Sequence, residues 1–218
     1  MEQNKQRIVV KVGTSTLTHN SGALDLWSME HLVRTLADLQ GMGHEVILVS
    51  SGAIAVGTAK LGLSERPKEL RMKQAAAAVG QCRMMHIYDK FFSEYNRSMA
   101  QILLTGDDVE DPERAEHLSN TFSALLEMGV IPVVNENDSV SSAEIETGRH
   151  KVLGDNDTLS AIVAELCRAD LLVLLSDIDG LYDADPKTHP EAKLLHQVTE
   201  LTPEILEMAG GAGSWRGT

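Results

Sequence analysis

Five short β-rich runs dominated by aliphatic residues punctuate the chain, at 7–12 (RIVVKV), 45–49 (EVILV), 99–104 (MAQILL), 130–134 (VIPVV) and 171–175 (LLVLL). Runs that are apolar at successive rather than alternate positions read as strands covered on both faces. Between them lie longer stretches with helical spacing. Met29, Leu32, Val33, Leu36 and Leu39 fall on one helical face, as do Leu159, Ile162, Val163 and Leu166; Leu118, Phe122 and Leu125 do the same within 113–128. Strand followed by helix, repeated, predicts a three-layer α/β fold with a mostly parallel central sheet. No internal repeat, heptad run or low-complexity tract competes with it.

At 218 residues, 43% apolar and 23% charged, the chain is long enough for one large domain or two small ones, and its composition is neither disordered nor collagen-like. Its 19 Lys and Arg against 32 Asp and Glu give a formal net charge of −13. That disfavours nucleic acid as a partner, because displacing counterions from a phosphate backbone needs a basic surface. Lys11 interrupts the first apolar stretch, so the N-terminus shows no signal-peptide core. The longest aliphatic run, Leu171 to Leu175, is far short of the roughly 20 residues of a membrane span. A soluble, cytoplasmic protein is expected. Cys82 and Cys167 lack CxxC or Cys/His spacing and are expected to be reduced, buried, small hydrophobes.

Loops are expected at 13–25, 105–112, 135–157 and 176–192, mostly where strands end, and ligands of open parallel sheets bind beyond the carboxyl ends of strands. The longest, 135–157, is polar in its middle (Ser139, Ser141, Ser142) and suggests a mobile flap or hairpin. Familiar signatures are missing from these loops: no G-x-x-x-x-G-K-[ST], no G-x-G-x-x-G after the first strand, no protein-kinase set, no serine nucleophile elbow and no H-E-x-x-H. Asp177, Asp179, Gly180, Asp183 and Asp185 superficially suggest a calcium loop, but glycine stands fourth rather than sixth and no glutamate closes the run. No residue is assigned to a metal.

What the loops do carry is polar and anion-seeking. The first strand ends in Lys11, followed by Gly13, Thr14 and Ser15. A cation at the top of a buried strand is costly unless an anion meets it, and a following glycine lets backbone N–H groups approach that anion. The plainer alternative is an edge-strand lysine reaching solvent. The second strand ends in Ser50-Ser51-Gly52-Ala53, where small residues open a helix whose N–H groups and hydroxyls could cradle a carboxylate or phosphate; a simple serine N-cap is the competing explanation. Two polar tetrads, Asn135-Glu136-Asn137-Asp138 and Gly154-Asp155-Asn156-Asp157, bracket the long loop. They could grip an amino-acid ammonium group and orient a lysine or metal. Capping by Asn156 or Asp157 accounts for one polar residue of the second tetrad, and a solvated loop remains the alternative for the rest.

Together VVKVGTS, VSSGAIAVG, VNEND, LGDNDTLSA and LLSDIDGLYDADP, spread over residues 9 to 186, resemble the amino-acid kinase superfamily, and within it the glutamate 5-kinases. The resemblance implies an α/β/α sandwich and transfer of the ATP γ-phosphoryl group to the L-glutamate side-chain carboxylate, with Mg²⁺, as the first step of proline synthesis. It also implies feedback inhibition by proline and a homo-oligomer, a dimer or tetramer, with no membrane partner. By position, Lys11 would contact the transferring phosphoryl group, with Gly13 and Thr14 beside it. Ser51, Asp138 and Asn156 match glutamate-binding positions, to which Gly52 and Asn135 are added as neighbours in the same motifs. Asp155 matches a carboxylate that organises catalytic lysines, and Asp157 lies beside the substrate. Ser176 and Asp177 match nucleotide-binding positions, continued by Gly180, Leu181 and Tyr182. Such chemistry needs no Ser/His or Cys/His machinery: a carboxylate is already a nucleophile, and the work is to bring two anions together and neutralise charge on the phosphoryl oxygens.

The family's pattern continues past Arg-Gly-Thr into Gly-Thr-Gly-Gly-Met-x-Thr-Lys, whose lysine is a second phosphoryl-contacting cation, whereas this sequence stops at Gly217-Thr218. The resemblance thus implies an incomplete kinase domain over 1–218, with a substrate lobe to about 165 and the start of a nucleotide lobe from about 166. A C-terminal RNA-binding-type domain is not expected in this chain. Acetylglutamate kinase, carbamate kinase and aspartokinase are the competing chemistries, disfavoured by the two tetrads. A glutamate- or proline-binding module without turnover, or a non-catalytic scaffold, is the competing class.

Overall fold

A computed structural model describes residues 5–140 and 156–209. They divide into two compact units, Met1–Leu175 and Ser176–Thr218.

The first unit is built on five parallel strands, β1 (Arg7–Val12), β2 (Glu45–Ser50), β3 (Met99–Leu104), β4 (Ile131–Glu136) and β5 (Leu171–Leu175), in the order β3-β4-β2-β1-β5. Its helices are α1 (Thr14–Leu17), α2 (Leu26–Gly41), α3 (Ala53–Lys60), α4 (Leu70–Glu94), α5 (Gly106–Glu110), α6 (Pro112–Glu127) and α7 (Asn156–Leu166). Alternate residues of each central strand feed two separate cores. Ile8, Val10 and Val12 of β1 join Val46 and Leu48 of β2 and pack under α2, α3 and α4 through Met29, Val33, Leu36, Val56, Met84 and Phe92. Val9, Ile47 and Val49 point the other way, against Phe122 and Leu126 of α6 and Leu159 and Val163 of α7. Apolar residues at successive positions are therefore what a sheet sandwiched between helices requires, and the three-layer α/β/α architecture follows.

The elements depart from expectation in a few places. β4 runs on through Asn135 and Glu136, because β3 supplies ladder partners Leu103 and Leu104 for both. The loop expected at 105–112 holds α5, nucleated by a capping box in which Thr105 and Asp108 satisfy each other's backbone and side chain. β5 lies at a sheet edge, so Leu171 and Leu174 are 44% and 50% exposed rather than covered. Cys167 is buried, and burial pushes its thiol up to about 12, but Cys82 is exposed on α4.

α3 and α4 cross with their backbones in contact. A Cβ on Gly57 would lie 1.8 Å from the Ala76 carbonyl oxygen, and one on Gly80 would lie 1.8 Å from that of Ala53. Only glycine fits at either position. Gly57, within the VSSGAIAVG motif, is thus a packing residue.

In the second unit, an isolated antiparallel bridge joins Tyr182 to Leu194, and Leu181 and Asp183 accept or donate backbone bonds to Leu195 and Lys193. Helix α8 (Pro203–Ala209) follows. No helix among the described residues is long and apolar enough to cross a membrane.

Candidate functional site

The carboxyl ends of β1, β2 and β4 bring together residues from four of the five sequence motifs. Lys11 is on an interior strand, flanked by Val49 of β2 and Leu174 of β5, and its side chain is only 13% exposed. Its Nζ lies 2.6 Å from Asp157 Oδ1 at the start of α7. The edge-strand alternative is therefore excluded. Gly13 follows in ordinary extended backbone, φ −79°. Its value is steric: a Cβ there would sit 3.6 Å from the Lys11 ammonium, so the missing side chain leaves that cation approachable.

After β2, Gly52 adopts φ +103° and caps α3 without a side chain. This left-handed turn favours glycine, and a Cβ would also press to 3.3 Å from Thr14 Cγ2. Ser51 is thus not the N-cap. Its hydroxyl is instead 2.6 Å from Asn156 Nδ2, and the first N–H groups of α3 lack intrahelical partners. Ser50 turns its own hydroxyl into the core, 2.9 Å from the fully buried Tyr88 hydroxyl. Burial pushes that phenol above its ordinary range, with the Ser50 bond opposing, so Tyr88 stays neutral.

Asn156 and Asp157 both lie inside the first turn of α7. Among the described residues their side chains reach other elements: Asp157 holds Lys11, and Asn156 Nδ2 donates to Ser51 Oγ, to the Ser50 carbonyl at 3.1 Å and to Asn135 Oδ1 at 3.3 Å. Asn135, 2% exposed, passes the chain on, its Nδ2 donating to Gln81 Oε1 of α4 at 2.8 Å. A buried run of side-chain amides therefore joins the end of β2 to α4 through the end of β4.

Beside it opens a cleft of about 400 Å³, lined among others by Gln81, Gln101, Glu136, Asn137, Asp138 and Ser139. Burial, then the nearby charge of Glu136, raises the Asp138 carboxyl from 3.8 to about 6, with Arg66 pulling it back. An anion held at such cost is suited to a cationic ligand group.

Asp155 and Gly154 lie outside the described residues, as do Ser141 and Ser142 of the expected flap. Ser176 and Asp177 belong to the second unit, where both are exposed, with Asp177 3.8 Å from Lys187. Gln81 and Tyr88 escaped the sequence reading. Their signal was a polar residue inside a buried helical stripe, Ala77-Gln81-Met84-Tyr88, where spacing alone suggests core. Among the described residues no three His, Cys, Asp or Glu side chains converge as a metal site.

A lysine and a helix N-terminus at the mouth of a parallel sheet, beside an amide-rich cleft, are suited to holding anionic groups. The sequence model of the amino acid kinase family matches residues 6–214, and the chain belongs to that family. Within it, the chain is 56% identical over 216 residues to the glutamate 5-kinase of Clostridium perfringens, spanning 99% of this chain and 80% of that protein. It is 54% identical to the glutamate 5-kinase of Clostridium acetobutylicum, over 99% of this chain and 78% of that protein. The fold is shared with more distant solved structures. An isopentenyl phosphate kinase superposes with a TM-score of 0.62 at 20% identity, covering 94% of this chain and 84% of the other. UMP kinase from Ureaplasma parvum gives 0.58 at 15%, covering 95% and 86%.

Proposed function

We propose that this protein is a glutamate 5-kinase, phosphorylating the side-chain carboxylate of L-glutamate with ATP to give L-glutamyl 5-phosphate for proline synthesis. The observation that carries this reading is the pairing of a nearly buried Lys11 with Asp157, one residue from the Asn156–Ser51–Asn135 amide cluster. Relatives more than half identical bear that name.

The chemistry asked of the residues is electrostatic. Lys11, nearly buried and aimed by Asp157, would meet charge developing on the transferred phosphoryl oxygens, with Gly13 leaving room beside it and Thr14 offering its hydroxyl. Ser51, Gly52 and the N-terminal N–H groups of α3 would hold the acceptor carboxylate, which needs no general base because it is ionised at neutral pH. Asn135, Asn156 and Asp138 would fix the rest of the amino acid. Asp155 would order the cations, and Ser176 and Asp177 would contact the nucleotide. Magnesium would fit as a partner of the nucleotide phosphates, and the half-exposed carboxylate of Asp157 would offer it a protein oxygen. It would supply neutralisation of phosphate charge. Cytoplasmic location, a homo-oligomeric assembly and feedback inhibition by proline belong to the same reading.

Trapping the acyl phosphate with hydroxylamine tests it: the full-length protein with ATP should give hydroxamate from glutamate. Hydroxamate from acetylglutamate or carbamate, with none from glutamate, would overturn the assignment.

A further inference from the structure

One polar atom of the amide chain is unaccounted for. Gln81 is 7% exposed, its Oε1 accepts from Asn135, and its Nε2 is buried without a hydrogen-bond partner while the residue lines the cleft that holds Asp138. The polarity of the whole chain is fixed from its far end. The Ser50 carbonyl can only accept, so Asn156 must present its Nδ2 there. The same nitrogen then meets Asn135 through Oδ1, leaving Asn135 Nδ2 for Gln81, which must answer with Oε1. Each amide is therefore locked against flipping, and the chain ends in an N–H donor. A buried donor left unmade is costly, so its natural complement is an acceptor brought by a ligand.

We propose that Gln81 is a substrate-specificity residue whose Nε2 donates to the α-carboxylate of the amino-acid substrate, while Asp138 in the same cleft takes its α-ammonium group. This rests on the glutamate 5-kinase reading. Gln81 lies at the opposite end of the amide chain from Asn156, whose neighbour Asp157 holds Lys11, so the substrate's two carboxylates are read at the two ends of one hydrogen-bonded relay.

The test is substrate discrimination in the full-length protein, using hydroxamate formation from glutamate and from 4-aminobutanoate, which is glutamate without its α-carboxylate. Gln81→Met keeps the length and packing of the side chain but removes the donor; it also removes the oxygen that accepts from Asn135, a loss present with or without substrate that falls on stability and equally on both compounds. It should raise the KM for glutamate about 10- to 100-fold, the worth of a hydrogen bond to a charged group. The kcat and the KM for ATP should be nearly unchanged, and the preference for glutamate over 4-aminobutanoate should shrink by the same factor. Where 4-aminobutanoate turnover is too slow to follow, its inhibition constant against glutamate serves instead and should not change. Equal losses for both compounds, a fall confined to kcat, or an unaltered preference would overturn the role of Gln81 while leaving the kinase reading intact. No hydroxamate from glutamate with the unmutated protein would overturn both.

Discussion

Asp138 weighs against folding, and replacing it by asparagine should separate that cost from the binding role proposed for it. In the folded chain burial and Glu136 raise its carboxyl from 3.8 to about 6. A group that holds its proton more tightly when folded contributes stability fully present below its unfolded value, here 3.8, and lost as pH rises through about 6. Above that, the ionised carboxylate disfavours the fold by at most about 3 kcal/mol, the free energy spanned by that interval. An asparagine side chain has nearly the same shape and no charge. Asp138→Asn should thus leave stability unchanged near pH 4 and add up to about 3 kcal/mol at neutral pH, a rise in Tm on the order of 6–10 °C for a chain of this size. Urea unfolding of both proteins across this pH range measures the difference. The same variant should bind glutamate about 10- to 100-fold more weakly at neutral pH, having lost the charged partner of the ammonium group. An Asp138→Asn variant no more stable at neutral pH than the unmutated protein, or a stability difference that does not vary with pH, would refute the reasoning.

Two other substitutions probe separate links between structure and activity. Lys11→Ala should lower kcat by about 10²-fold or more with little loss of stability, because Asp157 is 53% exposed and stays solvated without its partner; steady-state rates together with thermal melts decide it, and near-normal turnover would refute the role of Lys11. Gly57→Ala places a methyl group 1.8 Å from a backbone oxygen of α4, so despite a gain of about 1 kcal/mol in helix propensity it should destabilise the chain by about 2–4 kcal/mol, read as a lowered urea midpoint.

The fold was legible because the signal is local and redundant: each central strand is apolar on two faces, and each long helix shows its buried stripe. The limits came from information that sequence carries only in pairs. Whether Lys11 sat on an edge or an interior strand depends on strand order, which is set by β5 returning to pair with β1 on the side away from β2. Asn156 and Asp157 looked like capping residues because Asp and Asn favour helix starts, yet their partners are 105 residues away at Ser51 and on another strand at Lys11. Gln81 was hidden for the opposite reason. One polar residue among alanines and methionines reads as a tolerated core position until the strand end facing it is known to carry Asn135. Gly57 likewise sat inside a motif suggestive of ligand binding, although what it admits is another helix.

The contact of Gly57 with Ala76 and of Gly80 with Ala53 bears on how such a cleft can be altered. Ala53 opens the helix that follows Ser51 and Gly52, and Gly80 immediately precedes Gln81, so the two rims of the proposed amino-acid site are clamped together at main-chain distance. A gauge set by backbone has no smaller side chain to retreat to. Widening this site for a longer acceptor therefore requires remodelling β3 or the segment after β4, whereas the α3–α4 wall can only be loosened at the expense of the fold.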